Sequence, residues 1–112
     1  MSPTLLVVQH VAHEGPDLIA DLAQERRMQI DLRRPSLGDP LPDPDGCRNT
    51  IALVLGGPMS VNDRDQPGMD WLREELDWLR AWHQQRRPVL GICLGAQLLA
   101  VAAGGSVKPL QV

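Results

Sequence analysis

The sequence has no tyrosine and no phenylalanine, and its three tryptophans lie within one stretch of twelve residues, Trp71–Trp82. Single-stranded nucleic acids stack on aromatic side chains spread along a groove, so this composition excludes a stacking platform of that kind. The formal net charge is −3, with 11 Lys and Arg against 14 Asp and Glu. That balance also disfavours a nucleic-acid surface and a basic membrane-binding surface.

Long apolar runs are missing as well. No apolar stretch approaches the roughly 18 residues that suggest a membrane span. The N-terminal segment MSPTLLVVQH has no basic region before its short apolar run, so it does not match a signal peptide. We therefore predict no membrane partner. With 112 residues, the chain is at most one domain.

Cysteine is scarce, and its two copies, Cys47 and Cys93, form no CxxC pair. This usage is typical of a reducing, cytoplasmic compartment rather than of a disulfide scaffold. The acidic stretch PSLGDPLPDPDGCRNT does not match a calcium-binding loop, because Leu41 and Ala52 occupy its first and last ligand positions. We predict no metal and no cofactor.

Short apolar runs alternate with helical patterns along the chain. The runs predict buried strands at Leu5–Val8, Ile30–Leu32, Ile51–Leu55 and Val89–Ile92, with a fifth candidate at Val107–Val112. Helices are predicted after Pro16, from Pro67 to Pro88, and from Leu94 to Gly104, and the last is apolar nearly all round, which predicts burial. The order indicates an α/β fold, a flavodoxin-like open, mainly parallel sheet with helices on both faces.

The second helical pattern carries two apolar stripes. Its leucines recur at helical spacing, and Trp71, Trp78 and Trp82 form a stripe roughly 100° away from them. Two interpretations are open for the tryptophans. They form either the rim of the domain core or a surface for a partner or for a further part of the protein.

The sequence GICLGAQ places a cysteine where the fourth apolar run ends and a helix begins. G-x-C-x-G at such a junction is the cysteine form of a nucleophile elbow, and ligands of open α/β sheets bind at this end of the strands. The sharp turn predicts a positive φ at Cys93, and Gly91 and Gly95 let neighbouring backbone pass close. The helix start favours a thiolate, and the Leu94 N–H points toward a developing oxyanion. Gln97 lies on the same helix face as the cysteine.

A second glycine cluster, LGGPMSV at residues 55–61, follows the third apolar run directly. It matches neither a dinucleotide fingerprint nor a phosphate-binding loop. A Gly-Gly-Pro turn at a strand end exposes a backbone N–H toward the neighbouring elbow, which predicts a second oxyanion donor.

Together, these two motifs make the chain resemble the class I glutamine amidotransferase family, and within it the stand-alone members related to the amidotransferase part of GMP synthase. The segments QHVAHEGP and GDPLP fit the same subgroup. The resemblance implies that Cys93 attacks the side-chain amide of glutamine, releasing ammonia and leaving a glutamyl thioester. It also implies roles for the other site residues: oxyanion donors Gly57 and Leu94, substrate-binding Gln97, Met59 and Ser60, and elbow glycines Gly91 and Gly95.

The general base of that family is a histidine supported by a glutamate near the end of the domain, and no such motif precedes Val112. We therefore expect residues 1–112 to be the N-terminal part of an amidotransferase domain, inactive or weak in glutamine turnover by itself. His10 and His13 follow the first strand, about 10 Å from the fourth at ~4.8 Å per strand. We expect neither to be the base, and His10 to hydrogen-bond locally with Glu14.

Alternatives remain open at this point. The same residues would serve a hydrolase of γ-glutamyl peptides or amides, or the chain would be a non-catalytic module that binds glutamine-like ligands or a partner. The resemblance implies glutamine or a γ-glutamyl compound as substrate, and an acceptor (synthetase) subunit or domain as partner. An open sheet edge after the last strand predicts homo-oligomers.

Overall fold

Four parallel strands form one open sheet in the order β2-β1-β3-β4, in a computed structural model that describes residues 3–11, 15 and 17–108. The strands are β1 (Thr4–Val8), β2 (Gln29–Arg33), β3 (Thr50–Val54) and β4 (Val89–Gly91). The helices are α1 (Asp17–Glu25), α2 (Asp70–Gln84) and α3 (Leu94–Ala102), and short 3-10 turns lie at Pro35–Leu37, Pro44–Gly46 and Val61–Asp65. The flavodoxin-like fold and the four predicted strands are confirmed. The fifth candidate strand lies mostly outside the described residues, and Val107 and Lys108 are not in a strand.

Two hydrophobic clusters cover the two faces of the sheet. On one face Val8 and Val54 pack with the buried leucines of α2 and α3. On the other face Val7 and Leu53 pack with Ala23 of α1. Because α1 covers the β1 side of its face, the apolar side chains nearest β4 stay exposed there: Ile51, Leu90 and Ile92. One face of the sheet is therefore well covered, whereas the other face is bare near the edge strand β4.

The helices differ from the predictions in three details. Helix α2 begins at Asp70 rather than at Pro67, because Gly68 takes a φ of +79°, outside the helical region; a separate turn capped by Ser60 precedes it at Val61–Asp65. In α1, the helix predicted after Pro16, Leu22 is exposed while Ala23 is buried, so its apolar side is only partly buried. Helix α3 is not buried all round, since Ala96 and Ala100 face solvent while Leu94 and Leu98 are buried.

The tryptophans belong to the core rim, the first of the two interpretations. Trp82 is completely buried and donates its Nε1–H to the Pro88 carbonyl at 3.0 Å. Trp78 stacks on it with ring centroids 5.0 Å apart and donates to the Pro42 carbonyl at 2.7 Å. Trp78 is thus tied to the segment before β3, and both Trp71 and Trp78 are half-buried against the core. Among the described helices, none is long and apolar enough to cross a membrane.

Candidate active site

The parallel register brings the ends of β3 and β4 together, with Val54 opposite Gly91. The Ile92 N–H donates to the Val54 carbonyl at 2.9 Å, and the chain turns into α3 at the next residue. Cys93 takes φ +52° and ψ −109° as the residue before the helix, so the predicted positive φ is present. The backbone of a residue other than glycine is strained in this region of φ and ψ, and the surrounding structure must hold it there. The side chain of Cys93 is exposed.

The two glycines flanking Cys93 sit where no β-carbon fits. A Cβ on Gly95 would lie 2.0 Å from the Val54 carbonyl oxygen, and one on Gly91 would lie 2.5 Å from the Gly95 oxygen. Neither glycine has a positive φ, so close approach of backbone, rather than an unusual dihedral angle, requires them. The strand ends and the start of α3 are thus packed backbone against backbone, which fixes the position of Cys93.

The Gly56–Gly57 turn follows β3 directly and lies beside the elbow. Gly56 is buried, and a Cβ on Gly57 would lie 2.7 Å from the Met59 sulfur and 3.4 Å from Leu94 Cδ2. Within the described part of the chain, neither the Gly57 N–H nor the Leu94 N–H donates a hydrogen bond. Two predicted oxyanion donors thus lie on adjoining segments without competing acceptors, one after each strand.

Gln97 and Ser60, both predicted to bind substrate, are joined directly. The Gln97 Oε1 accepts from the Ser60 hydroxyl at 3.2 Å and from the Val61 N–H at 3.1 Å. Ser60 also caps the following turn, since its hydroxyl accepts from the Asn62 N–H at 3.1 Å, and its own N–H donates to Asp63 Oδ2 at 2.8 Å. These bonds tie α3 to the segment after the Gly56–Gly57 turn, so helix α3 and that turn are held in one relative position.

A buried histidine–glutamate pair lies behind the turn, and sequence reasoning missed its glutamate. His10 Nε2 lies 2.7 Å from Glu75 Oε2, with both side chains fully buried, and His10 Nδ1 lies 3.3 Å from the Gly56 oxygen. The predicted local hydrogen bond of His10 is therefore wrong, because its two ring nitrogens contact residues 46 and 65 positions away; Glu14, its predicted partner, is outside the described residues. The available signal was the position of Glu75 within the leucine stripe of α2, because a carboxylate on a buried helix face needs a partner.

The surroundings of His10 favour its charged form. Burial lowers the pKa of His10, but the hydrogen bond and charge of Glu75, together with the Gly56 carbonyl, outweigh burial and leave that pKa raised. Both ring nitrogens are engaged, so His10 has no free nitrogen to accept a proton from Cys93, as expected. His83 is exposed on α2, and His13 lies outside the described residues.

A concave region of about 380 Å³ lies between the Pro35–Leu41 segment and α2, away from the elbow. Its lining includes Trp71, Glu75 and Trp78 but not Cys93. Among the described residues, no group of three or more His, Cys, Asp or Glu side chains is placed to hold a metal ion. The exposed Cys93 thiol lies beside two predicted backbone donors, the Gly57 and Leu94 N–H groups, and these are the groups on which the candidate chemistry rests.

Comparison with known proteins points in the same direction. The family model for class I glutamine amidotransferases matches residues 18–112. The chain is 32% identical over 102 residues to the glutamine amidotransferase-like protein YfeJ of Salmonella typhimurium, which covers 89% of this chain and 42% of that protein. It is 31% identical over 106 residues to a GMP synthase (glutamine-hydrolyzing) of Desulfotalea psychrophila, covering 95% of this chain and 18% of that protein.

Solved structures show the same similarity. A glutamine amidotransferase from Thermotoga maritima superposes with a TM-score of 0.82 at 26% identity, covering 93% of this chain and 44% of that one. One from Methylobacillus flagellatus gives 0.76 at 36% identity, covering 93% and 39%. The chain thus spans less than half the length of each of these relatives.

Proposed function

The chain belongs to the class I glutamine amidotransferase family, and from that premise we propose that it carries the nucleophile and the oxyanion donors of a glutamine-hydrolysing site. The observation that supports this most strongly is the arrangement at the β4–α3 junction. Cys93 is exposed in a strained backbone conformation, directly beside the Gly56–Gly57 turn. Structural cysteines are usually buried and inert, so this exposure favours a reactive role.

In the proposed reaction, the Cys93 sulfur forms a bond to the side-chain amide carbon of glutamine. The negative charge that develops on the amide oxygen is stabilised by the N–H groups of Gly57 and Leu94. The carbon–nitrogen bond then breaks, the nitrogen takes up a proton and leaves as ammonia, and a γ-glutamyl thioester remains on Cys93. Water hydrolyses the thioester to glutamate and the free thiol.

We assign substrate binding to Gln97, Ser60 and Met59. The Gln97 amide oxygen is already engaged by Ser60 and Val61, which leaves its NH₂ group as the donor available to substrate. Met59 packs over Gly57 and narrows the approach to the oxyanion donor. In this proposal the three side chains form the floor beside Cys93 rather than an enclosed pocket.

The general base in this proposal lies outside the described residues. His10 is fully engaged and His83 faces solvent, so neither serves Cys93. We retain the prediction that residues 1–112 are the N-terminal part of an amidotransferase domain. Since GMP synthases are among the relatives, an acceptor (synthetase) domain or subunit that consumes the ammonia is part of the proposal. A reducing, cytoplasmic setting fits the need for a free Cys93 thiol.

The test is labelling by a chloroketone analogue of glutamine, with Cys47 as the internal comparison. Burial raises the pKa of the Cys47 thiol, against the opposing effect of Arg87, and this thiol is only partly accessible. We expect Cys93 to be labelled first, labelling to vanish in Cys93→Ala, and labelling to persist in the matched Cys47→Ala. Equal labelling of both cysteines would contradict the proposal.

Glutamine turnover provides the second arm of this test. A positioned acid–base group typically raises the reaction rate by about 10²–10⁴-fold, so without one we expect glutamine turnover near background from residues 1–112. Robust ammonia release that disappears in Cys93→Ala would show that a base lies within these residues, which would overturn its assignment to another part of the protein.

A further inference from the structure

We propose that His10 is a positioning residue that orients the Gly56–Gly57 peptide, so that the Gly57 N–H points into the oxyanion hole. The inference rests on the proposed function for the identity of that hole. It begins with one contact: His10 Nδ1 lies 3.3 Å from the Gly56 carbonyl oxygen, inside the protein. The Gly56 carbonyl and the Gly57 N–H belong to the same peptide group.

Because that peptide is planar, a contact that fixes the direction of its C=O also fixes the direction of its N–H. In a trans peptide the C=O and the N–H point in opposite directions, so a bond that holds the oxygen toward His10 directs the hydrogen away from it. A Cβ on Gly57 would lie 3.2 Å from His10 Cβ and 3.4 Å from Leu94 Cδ2. The turn is therefore enclosed between the histidine and the residue that carries the other proposed donor.

Two consecutive glycines make such control necessary. A Gly-Gly turn has more accessible backbone conformations than any other pair, and nothing in its own side chains selects one of them. Pre-organised donors contribute more to catalysis than donors that must reorient during the reaction. An external group that fixes the peptide plane would supply this pre-organisation.

Glu75 and Trp71 hold the imidazole ring of His10 in its orientation. Glu75 Oε2 accepts from His10 Nε2 at 2.7 Å, and the ring of Trp71 covers the imidazole with centroids 5.9 Å apart. Both neighbours of the ring, the Gly56 oxygen and the carboxylate, are acceptors, and two acceptors are satisfied by an imidazolium with two N–H donors. A charged donor on the Gly56 oxygen also polarises the peptide and strengthens its N–H as a donor.

Two amide substitutions separate positioning from mere packing. The nitrogen of an asparagine side chain falls near the position of Nδ1, whereas that of a glutamine falls near Nε2. His10→Asn therefore retains a donor toward Gly56, and His10→Gln retains one toward residue 75. Both are made together with Glu75→Gln, so that no buried carboxylate is left unpaired and the two double variants carry the same charge.

The first readout is a ratio of labelling rates at Cys93. The Cys93 thiolate adds reversibly to the ketone of a glutamine-like chloroketone, giving a tetrahedral adduct whose oxygen enters the hole, and chloride then leaves as a stable thioether forms. Iodoacetamide alkylates by direct displacement of iodide without an oxyanion. Complete loss of one oxyanion donor typically lowers a catalytic rate by roughly 10²–10³-fold. In His10→Gln/Glu75→Gln the donor is only misoriented, so we expect the chloroketone-to-iodoacetamide rate ratio to fall about tenfold relative to Glu75→Gln alone. His10→Asn/Glu75→Gln should stay within about threefold of that reference. The iodoacetamide rate reports whether each variant remains folded at the elbow.

The second readout is the carbonyl carbon chemical shift of Gly56, which responds to hydrogen bonding at its oxygen and needs no activity. We expect it to move in the His10→Gln double variant and to stay in the His10→Asn double variant. Identical behaviour of the two in both measurements would overturn the proposal. If the unsubstituted chain shows no preference of the chloroketone for Cys93, the proposed function fails, and the Gly56 shift alone then decides whether His10 orients the peptide.

Discussion

The Gly56–Gly57 turn and the Cys93 elbow adjoin each other, yet they are supported in different ways. The turn is backed by a fully buried ionisable pair that reaches from β1 to α2. The elbow rests on close backbone packing at β4, and the side chains around it, Leu90 and Ile92, are exposed. In the proposed site, the donor side is thus supported by buried side chains, whereas the nucleophile side adjoins strand β4, where Leu90 and Ile92 are exposed.

The largest effect is expected on the buried side, from Glu75→Ala. Removing one partner of a buried pair leaves His10 without its counter-charge, and such changes typically lower the free energy of unfolding by about 3–5 kcal/mol. Chemical denaturation measures the loss. The matched control is Glu74→Ala, an exposed neighbour on α2, which should change stability by less than about 0.5 kcal/mol. Similar losses in both variants would show that the pair has no special role.

The elbow side is tested by Gly95→Ala. The added Cβ would meet the Val54 carbonyl at 2.0 Å, so β3 and α3 must separate. We expect a loss of about 3 kcal/mol, at the upper end for overpacking, measured by denaturation. Gly46→Ala is the control, because a Cβ there meets nothing within 4 Å. A Gly95→Ala variant as stable as the parent would refute the close packing at the elbow.

The exposed apolar side chains at strand β4 predict self-association of the chain, and Leu90→Lys should weaken this association. Leu90 is 52% exposed on the edge strand β4, and unpaired apolar edges pair with other chains. Sedimentation equilibrium should show association weakened about tenfold, or about 1.4 kcal/mol. Leu37→Lys changes a side chain that is 73% exposed elsewhere and should leave association unchanged. A parent chain that is monomeric at high concentration would contradict the prediction.

The smallest expected effect is a pH dependence of stability from the buried pair. The pKa of His10 is raised in the folded state, so its stabilisation is fully present below its unfolded pKa of about 6.5 and is lost as pH rises through the folded pKa. The groups facing the ring are Glu75, the Gly56 and Leu55 carbonyls and Trp71. Unfolding free energies at several pH values should fall across this window, and Glu75→Gln should flatten the slope. An unchanged slope in that variant would exclude His10 as its source.

Comparison of sequence and structure shows which features are local. The strands, the positive φ at Cys93 and the close approach at Gly91 and Gly95 follow from short motifs, because each is determined by neighbours in sequence or by one adjoining strand. The His10–Glu75 pair joins residues 65 positions apart, and no motif near His10 in the sequence identifies Glu75 as its partner. The helical pattern after Pro67 does not predict the late start of α2, because Gly68 takes a φ of +79° that interrupts a helix there.

In the proposed function, residues 1–112 hold a competent nucleophile and oxyanion donors while the base lies elsewhere. A γ-glutamyl ester with a phenol leaving group tests it directly, because a phenolate departs without needing a proton. Mass spectrometry of the chain after exposure should show one γ-glutamyl group on Cys93, formed in a single burst without continued turnover. Absence of the adduct, or equal acylation of Cys47, would contradict the account.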